Sequence, residues 1–263
     1  MRRATLVHVD LDRASVEQAL AAAGCITPRD EANALLDVAG GDRAALASML
    51  ARRIDGEPLP WITGSIRFCG LDVRVAPGVY VPRWQTEPIA RLAASLLPPG
   101  GVAVDLCTGA GAVAMVLQAA APDARVLATD VDPIAVACAR TNGVDASEGV
   151  LDAPLPRHVE GVVDVLTAVP PYVPTGELRL LPRDVRDHEP VAALDGGADG
   201  TDVLAEIVRR SRRWLRPGAS LVLELGGDQP GVLEPVLREA GFDAPRVLRD
   251  AEDDPRGIVA RLA

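Results

Sequence analysis

Residues 101–111 read Gly-Val-Ala-Val-Asp-Leu-Cys-Thr-Gly-Ala-Gly. A short apolar run from Val102 to Leu106 leads into a loop carrying Gly109 and Gly111, and a second apolar stretch, Ala112 to Ala121, has helical length. Strand, glycine turn and helix in that order form the opening unit of an α/β sheet, because glycine lets the backbone turn sharply and lets a ligand come close to it. Outward from this unit, strand and helix patterns alternate. Strands are predicted at Val102–Leu106, Arg125–Asp130, Val162–Ala168, Ser220–Leu225, Arg246–Leu248 and Ile258–Arg261, with a weaker one near Val144–Val150. Helices are predicted at Thr86–Leu97, Ala112–Ala121, Pro133–Asn142, Asp202–Leu215 and Gly231–Ala240. Five helices and seven strands make a doubly wound α/β domain, its parallel sheet covered on both faces.

Upstream of this domain the pattern changes. Val16, Leu20 and Ala23, then Leu35, Leu36 and Val38, then Leu46, Met49 and Leu50 recur at helical spacing, with breaks at Gly24, Thr27-Pro28 and Gly40-Gly41-Asp42. Ile66-Arg67-Phe68 and Leu71 to Val75 flank Cys69-Gly70, the pattern of a β-hairpin. The expected organisation is a small helical domain over residues 1–64, a β-hairpin connector over 65–85, and the α/β domain over 86–263.

Composition narrows the function. With 263 residues, 48% of them hydrophobic, the chain can bury a full core. The net charge of −10 argues against nucleic acid as the main substrate, since polyanion binding needs clustered cations. Arg209, Arg210, Arg212 and Arg213 form one such cluster, expected to be a solvated helix face. Cys25, Cys69, Cys107 and Cys138 show no C-x-x-C pairing and read as small hydrophobes in a reducing compartment. No sustained apolar span and no secretory leader pattern is present, so a cytoplasmic protein without a membrane anchor is expected. No His/Cys/Asp spacing suits a metal, and no metal is expected; His8 and Asp10 lack partners and His158 reads as exposed and uninvolved.

The chemistry lies at the C-terminal ends of the predicted strands. Asp130 falls twenty-one residues after Gly109, where a carboxylate can accept hydrogen bonds from ribose hydroxyls. Gly109-x-Gly111-x-x-Ala114 also fits a dinucleotide fingerprint. Two features oppose that reading: Asp105, placed to meet an ammonium group, and the tetrapeptide Val169-Pro170-Pro171-Tyr172 after a later strand. Hydride transfer has no evident use for either. Loop, acid and tetrapeptide in this order read as S-adenosylmethionine-dependent methyl transfer to nitrogen. An exocyclic base amine is one such nitrogen, and the acidic charge argues against it.

These motifs, with Gly56-Glu57-Pro58-Leu59-Pro60-Trp61-Ile62-Thr63-Gly64, Val81-Pro82-Arg83-x-x-Thr86-Glu87, His188-Glu189-Pro190, Ala193 to Gly200, and Leu223-Glu224-Leu225-Gly226 with Gln229, resemble the protein glutamine methyltransferases that modify release factors and a ribosomal protein. Arg186 to Pro190 and Tyr172 to Thr175 look like a paralogous branch of that family. The resemblance implies a class I S-adenosylmethionine methyltransferase fold. It implies that Asp105, Cys107, Thr108, Gly109, Gly111, Asp130 and Val131 surround the cofactor, that Arg83 and Thr86 belong to a segment closing over it, and that Tyr80, Pro170, Pro171 and Tyr172 line the acceptor pocket. Trp84 and Glu189 are further substrate-side candidates, Glu189 with a loop-fixing role beside His188. Its implied partner is a release-factor-like protein, with a small-molecule acceptor as the alternative; the oligomeric state is left open.

Two positions depart from the family pattern. Gly149-Val150 stands where Gly-Asp is usual, and Asp152 is the candidate replacement for the adenine-side carboxylate. Val169 stands where Asn or Asp usually precedes Pro-Pro-Tyr, so Val169 to Tyr172 form a catalytic segment without its side-chain acceptor. An amide nitrogen is a poor nucleophile, and an unmatched buried donor costs about 1–3 kcal/mol, roughly a tenfold to hundredfold loss in rate. Three outcomes follow: amide methylation using another acceptor, a different nucleophile, or cofactor binding without transfer.

Overall fold

A computed structural model describes residues 12–263. His8 and Asp10, and the first part of the helical region, lie outside them. The described N-terminal part is α1 (Arg13–Ala22), α2 (Pro28–Ala39) and α3 (Arg43–Ile54), followed by a short α4 (Leu59–Thr63). Asp12 and Asp42 start α1 and α3 by accepting free backbone N–H groups, from Ser15 at 2.8 Å and from Ala44 and Ala45 at 2.9 and 3.0 Å. Val16, Leu20, Leu35, Leu46, Leu50 and Ile62 form a core of their own. The buried carboxylate of Glu31 is matched by Arg53 at 2.6 Å. α4 was not expected, since Gly56 to Pro60 read only as a stop; Pro58 and Pro60 pre-set the backbone for one helical turn.

The hairpin pairs β1 (Ser65–Phe68) with β2 (Leu71–Arg74). Its two-residue turn puts Cys69 at φ 49° and Gly70 at φ 83°, the left-handed pair a tight hairpin of this twist demands. Glu87 accepts the Cys69 N–H at 2.9 Å, which ties the hairpin tip to the following helix.

The α/β part holds α5 (Glu87–Leu96), β3 (Val102–Leu106), α6 (Ala112–Ala120), β4 (Arg125–Asp130), α7 (Pro133–Thr141), β5 (Asp145–Glu148), β6 (Val163–Ala168), α8 (Arg183–His188), α9 (Asp202–Ser211), β7 (Leu215–Glu224), α10 (Gln229–Glu239), β8 (Phe242–Arg249) and β9 (Pro255–Leu262). The sheet has seven strands in the order β5-β4-β3-β6-β7-β9-β8. β3 to β7 are parallel, whereas β9 runs antiparallel to both β7 and β8. The strand–helix alternation predicts a parallel sheet and gives no sign of the antiparallel strand. Only residues 250–254 separate β8 from β9, too few for the crossover that parallel pairing requires. α9 also stops four residues early, because Leu215 pairs with Val163 in the sheet.

Ile89, Ala93, Val113, Leu117 and Val136 cover one face of the sheet together with Phe68 and Val73 of the hairpin. Leu204, Ile207, Trp214, Leu233 and Leu237 cover the other. β3 lies between β4 and β6, so the chain leaves it in opposite directions on its two sides. The crevice at that switch point is where open α/β sheets take ligands. Among the described residues, no helix is long and apolar enough to cross a membrane.

Candidate functional site

At the C-terminal end of β3, Asp105 is 1% exposed, and both its oxygens accept hydroxyl hydrogens, from Thr108 at 2.6 Å and from Thr167 of β6 at 2.7 Å. Burial nevertheless dominates and pushes its carboxyl up to about 6. After it, Cys107 at φ 54°, Gly109 at φ 55° and Gly111 at φ 83° bend the loop into α6. A Cβ on Gly111 would come within 2.9 Å of the Val144 side chain, while Gly109 has nothing within 4 Å of where a Cβ would stand. One glycine is required for packing and the other for conformation.

Asp130 ends β4. Its two oxygens accept the backbone N–H groups of Gly109 at 2.8 Å and Asp132 at 3.0 Å, and burial raises its pKa above the ordinary carboxylate range. The carboxylate thereby locks the glycine loop to the next strand. Each oxygen keeps a lone pair for a further donor.

These groups open into a cavity of about 490 Å³. Asp105, Cys107, Thr108, Gly109, Asp130 and Val131 line one half, with the exposed side chains of Val131 and Val150 on its rim. Phe68, Tyr80, Pro82, Thr86, Val169 and Pro171 line the other half. Sequence reasoning missed Phe68, Pro190, Ala193, Asp195, Asp202 and Glu206 as lining residues. The run Asp195 to Gly200 carried a signal, since so many turn-forming residues mark a loop shaped to pass close to something. A Cβ on Gly196 would meet the Pro171 carbonyl at 2.7 Å, and one on Gly200 would overlap the Tyr172 carbonyl. Gln229 closes this contact by donating its amide hydrogens to the carbonyls of Tyr172, at 2.6 Å, and Asp199, at 3.3 Å.

Several expected site residues are not on the cavity wall. Asp152 is buried off the wall, its oxygens accepting from Trp214 Nε1 at 2.8 Å and from Arg210 at 3.0 Å, and Val150 and Leu151 occupy the wall where the adenine-side carboxylate was expected. Tyr172 sits behind Pro171 and donates its hydroxyl to Glu224 at 3.0 Å. Arg83 lies over the Tyr80 ring, 4.9 Å from its centroid, and pairs with the buried Glu189 at 2.5 Å. Glu189 also accepts the Val81 N–H at 3.4 Å and thus braces the segment from below, as a loop-fixing role requires. Trp84 is 69% exposed and faces solvent. Pro170 and Gly111 are buried behind the wall. In the arginine cluster, Arg209 and Arg210 pair with Glu206, and Arg213 pairs with Glu160, which agrees with a solvated face.

The cofactor half fits S-adenosylmethionine on chemical grounds. A buried carboxylate with spare lone pairs suits an ammonium group, the Asp130 carboxylate suits a ribose diol, and the apolar rim suits a flat base.

Comparisons with known proteins agree. A family model described as "Methyltransferase small domain" matches residues 71–176. The release factor glutamine methyltransferase of Mycolicibacterium smegmatis is 38% identical over 273 residues, covering 94% of this chain and 96% of the relative. That of Geobacter sulfurreducens is 38% identical over 225 residues, covering 83% and 78%. Among solved structures, a ribosomal protein L11 methylase from Lactobacillus delbrueckii subsp. bulgaricus superposes with a TM-score of 0.51 at 18% identity, covering 73% of this chain and 86% of that one, a likeness of fold. The chain belongs to the release factor glutamine methyltransferase family and is an S-adenosylmethionine-dependent methyltransferase with the seven-stranded class I fold.

Proposed function

We propose that this protein methylates the side-chain amide nitrogen of a glutamine in a protein of the release-factor class. The observation that carries the reading is that the carboxylates of Asp105 and Asp130 and the acceptor-side residues Tyr80, Val169 and Pro171 face one continuous cavity. Donor and acceptor can therefore meet without crossing bulk water. When bound, the cofactor supplies an electrophilic methyl group on a sulfonium sulfur. Asp105 holds its ammonium end and Asp130 its ribose, while Phe68, Pro82 and Val169 keep the walls apolar and hold the acceptor in line. The surplus proton of the methylated nitrogen leaves to solvent.

A macromolecular acceptor is supported by two exposed apolar side chains, Trp84 and Val191, which stand next to Arg83 and two residues from Glu189 along the chain. The reading entails a cytoplasmic enzyme, acting where translation terminates.

The test is mass spectrometry of a release factor's Gly-Gly-Gln loop after incubation with the protein and S-adenosylmethionine, with cofactor affinity measured by calorimetry on the same sample. One added methyl group on the glutamine is expected. Tight cofactor binding with no methylated glutamine rejects the reading and directs the search to small-molecule acceptors.

A further inference from the structure

The acceptor half has a polar group in it despite Val169. Three hydroxyl side chains surround that half. Tyr172 spends its hydroxyl on Glu224 at 3.0 Å. Thr86 Oγ1 is sealed from the cavity, as is the second oxygen of Glu224 next to it. Tyr80 is only partly buried and lines the cavity with Val169. Among the described residues, no carboxylate or carbonyl oxygen takes the Tyr80 hydroxyl hydrogen; the Arg83 guanidinium donates to that oxygen, and Glu224 and Glu189 lie near enough for their charges to act on it.

The position of Tyr80 is fixed on both sides. The Val79 carbonyl accepts from Trp61 Nε1 at 2.9 Å, and the Val81 N–H is held by Glu189. Arg83 covers the ring and is itself anchored by Glu189. Burial raises the phenol pKa, so the group is a neutral hydroxyl with two lone pairs, of which Arg83 engages one.

We propose that the Tyr80 hydroxyl oxygen accepts a hydrogen bond from the acceptor's NH₂ group, supplying the alignment that Val169 does not. The proposal rests on the glutamine-methylation reading above. Held this way, the nitrogen presents its lone pair to the methyl carbon. Transfer forms the nitrogen–methyl bond as the sulfur–methyl bond breaks, the bonding pair stays on sulfur, and the nitrogen gives up one proton to water. Tyr80 orients the amide and takes no proton.

The test compares wild type, Tyr80→Phe, Val169→Asn and the double variant on a release factor, with kcat, KM, cofactor affinity and melting temperature measured for each. Tyr80→Phe removes one oxygen and no ring volume, so a drop of only a few degrees in melting temperature, for the one hydrogen bond lost from Arg83, and an unchanged cofactor affinity are expected. Its kcat is expected to fall about tenfold to a hundredfold, as for a lost hydrogen bond felt at the transition state. Val169→Asn introduced into that background is expected to restore most of the loss, because it returns an acceptor to the same nitrogen. A Tyr80→Phe kcat within about twofold of wild type overturns the proposal. So does a loss that Val169→Asn leaves untouched, which would mark a packing role. An inactive wild type overturns the glutamine reading and this proposal together, whereas an active wild type with an unaffected Tyr80→Phe variant overturns this proposal alone.

Discussion

The two halves of the cavity are built in different ways. The cofactor half comes from consecutive strand ends: Asp105, the glycine loop and Asp130 lie within twenty-six residues of chain, and Asp130 binds the loop it faces. The acceptor half is assembled from the hairpin, the segment 80–86, the Val169 to Pro171 turn and the loop 190–195, four stretches brought together by long-range contacts such as Glu189 with Arg83 and Gln229 with Tyr172. A half made locally is set by strand register, so its chemistry varies little without breaking the sheet. The half made from distant loops can exchange one side chain for another while the sheet stays intact.

Damage to a long-range tie should therefore injure the acceptor half and spare the other. Arg83→Ala should have the largest effect. It leaves the Glu189 carboxylate, whose side chain is 1% exposed, without its cation, at a cost of about 3 kcal/mol. Calorimetric unfolding should show the loss and turnover should fall, while S-adenosylmethionine affinity changes little. A matching collapse of cofactor affinity would show that the halves are not independent. Asp130→Ala makes the converse cut. Losing the ribose contact and the bracing of Gly109 should weaken cofactor binding by roughly 1–3 kcal/mol by titration calorimetry, and unchanged affinity would remove Asp130 from the ribose site.

The same contrast separates the parts of the molecule that are legible in the amino-acid sequence from those that are not. Strand, glycine loop and acid follow one another along the chain at spacings imposed by one βαβ unit, so Asp105, Gly109 and Asp130 are legible, and all three converge as expected. The hairpin is legible too, because Cys69-Gly70 divides two alternating runs. The antiparallel β9 is not, since a strand's direction depends on the length of its connection and leaves no mark within it. Phe68 reads only as a strand residue, yet it turns inward to the cavity wall. Asp152 reads as a ligand group because it lies two residues from the expected position. Its fate is decided fifty-eight and sixty-two residues away, by Arg210 and Trp214.

A pH titration sharpens the cofactor half. Only ionised Asp105 attracts an ammonium group, and burial has pushed its pKa up to about 6. Affinity for S-adenosylmethionine should therefore be level above about pH 7 and drop as pH falls through 6, by about tenfold between pH 7 and pH 5. Asp130, also raised, acts in the same direction. For the protein without ligand the sign is opposite. The folded state holds the Asp105 proton more tightly than the unfolded chain, whose value is the ordinary 3.8, so this group favours folding as pH falls from above 6 towards 4. Parallel losses of ligand affinity and fold stability over that window would contradict the assignment.

The smallest effect belongs to Asp152→Asn, and it separates the two accounts of that residue. As an adenine-side carboxylate, Asp152 would lose cofactor affinity on this change. As the structure has it, the amide oxygen of the variant can still accept from Trp214 Nε1, and only the charge facing Arg210 disappears. Arg210 is 40% exposed and also pairs with Glu206, so solvent and the second carboxylate absorb most of that loss. A destabilisation of about 1 kcal/mol is expected, with cofactor affinity unchanged. Weaker cofactor binding at full stability would return Asp152 to the site, and with it the idea that the cofactor half can also swap its parts.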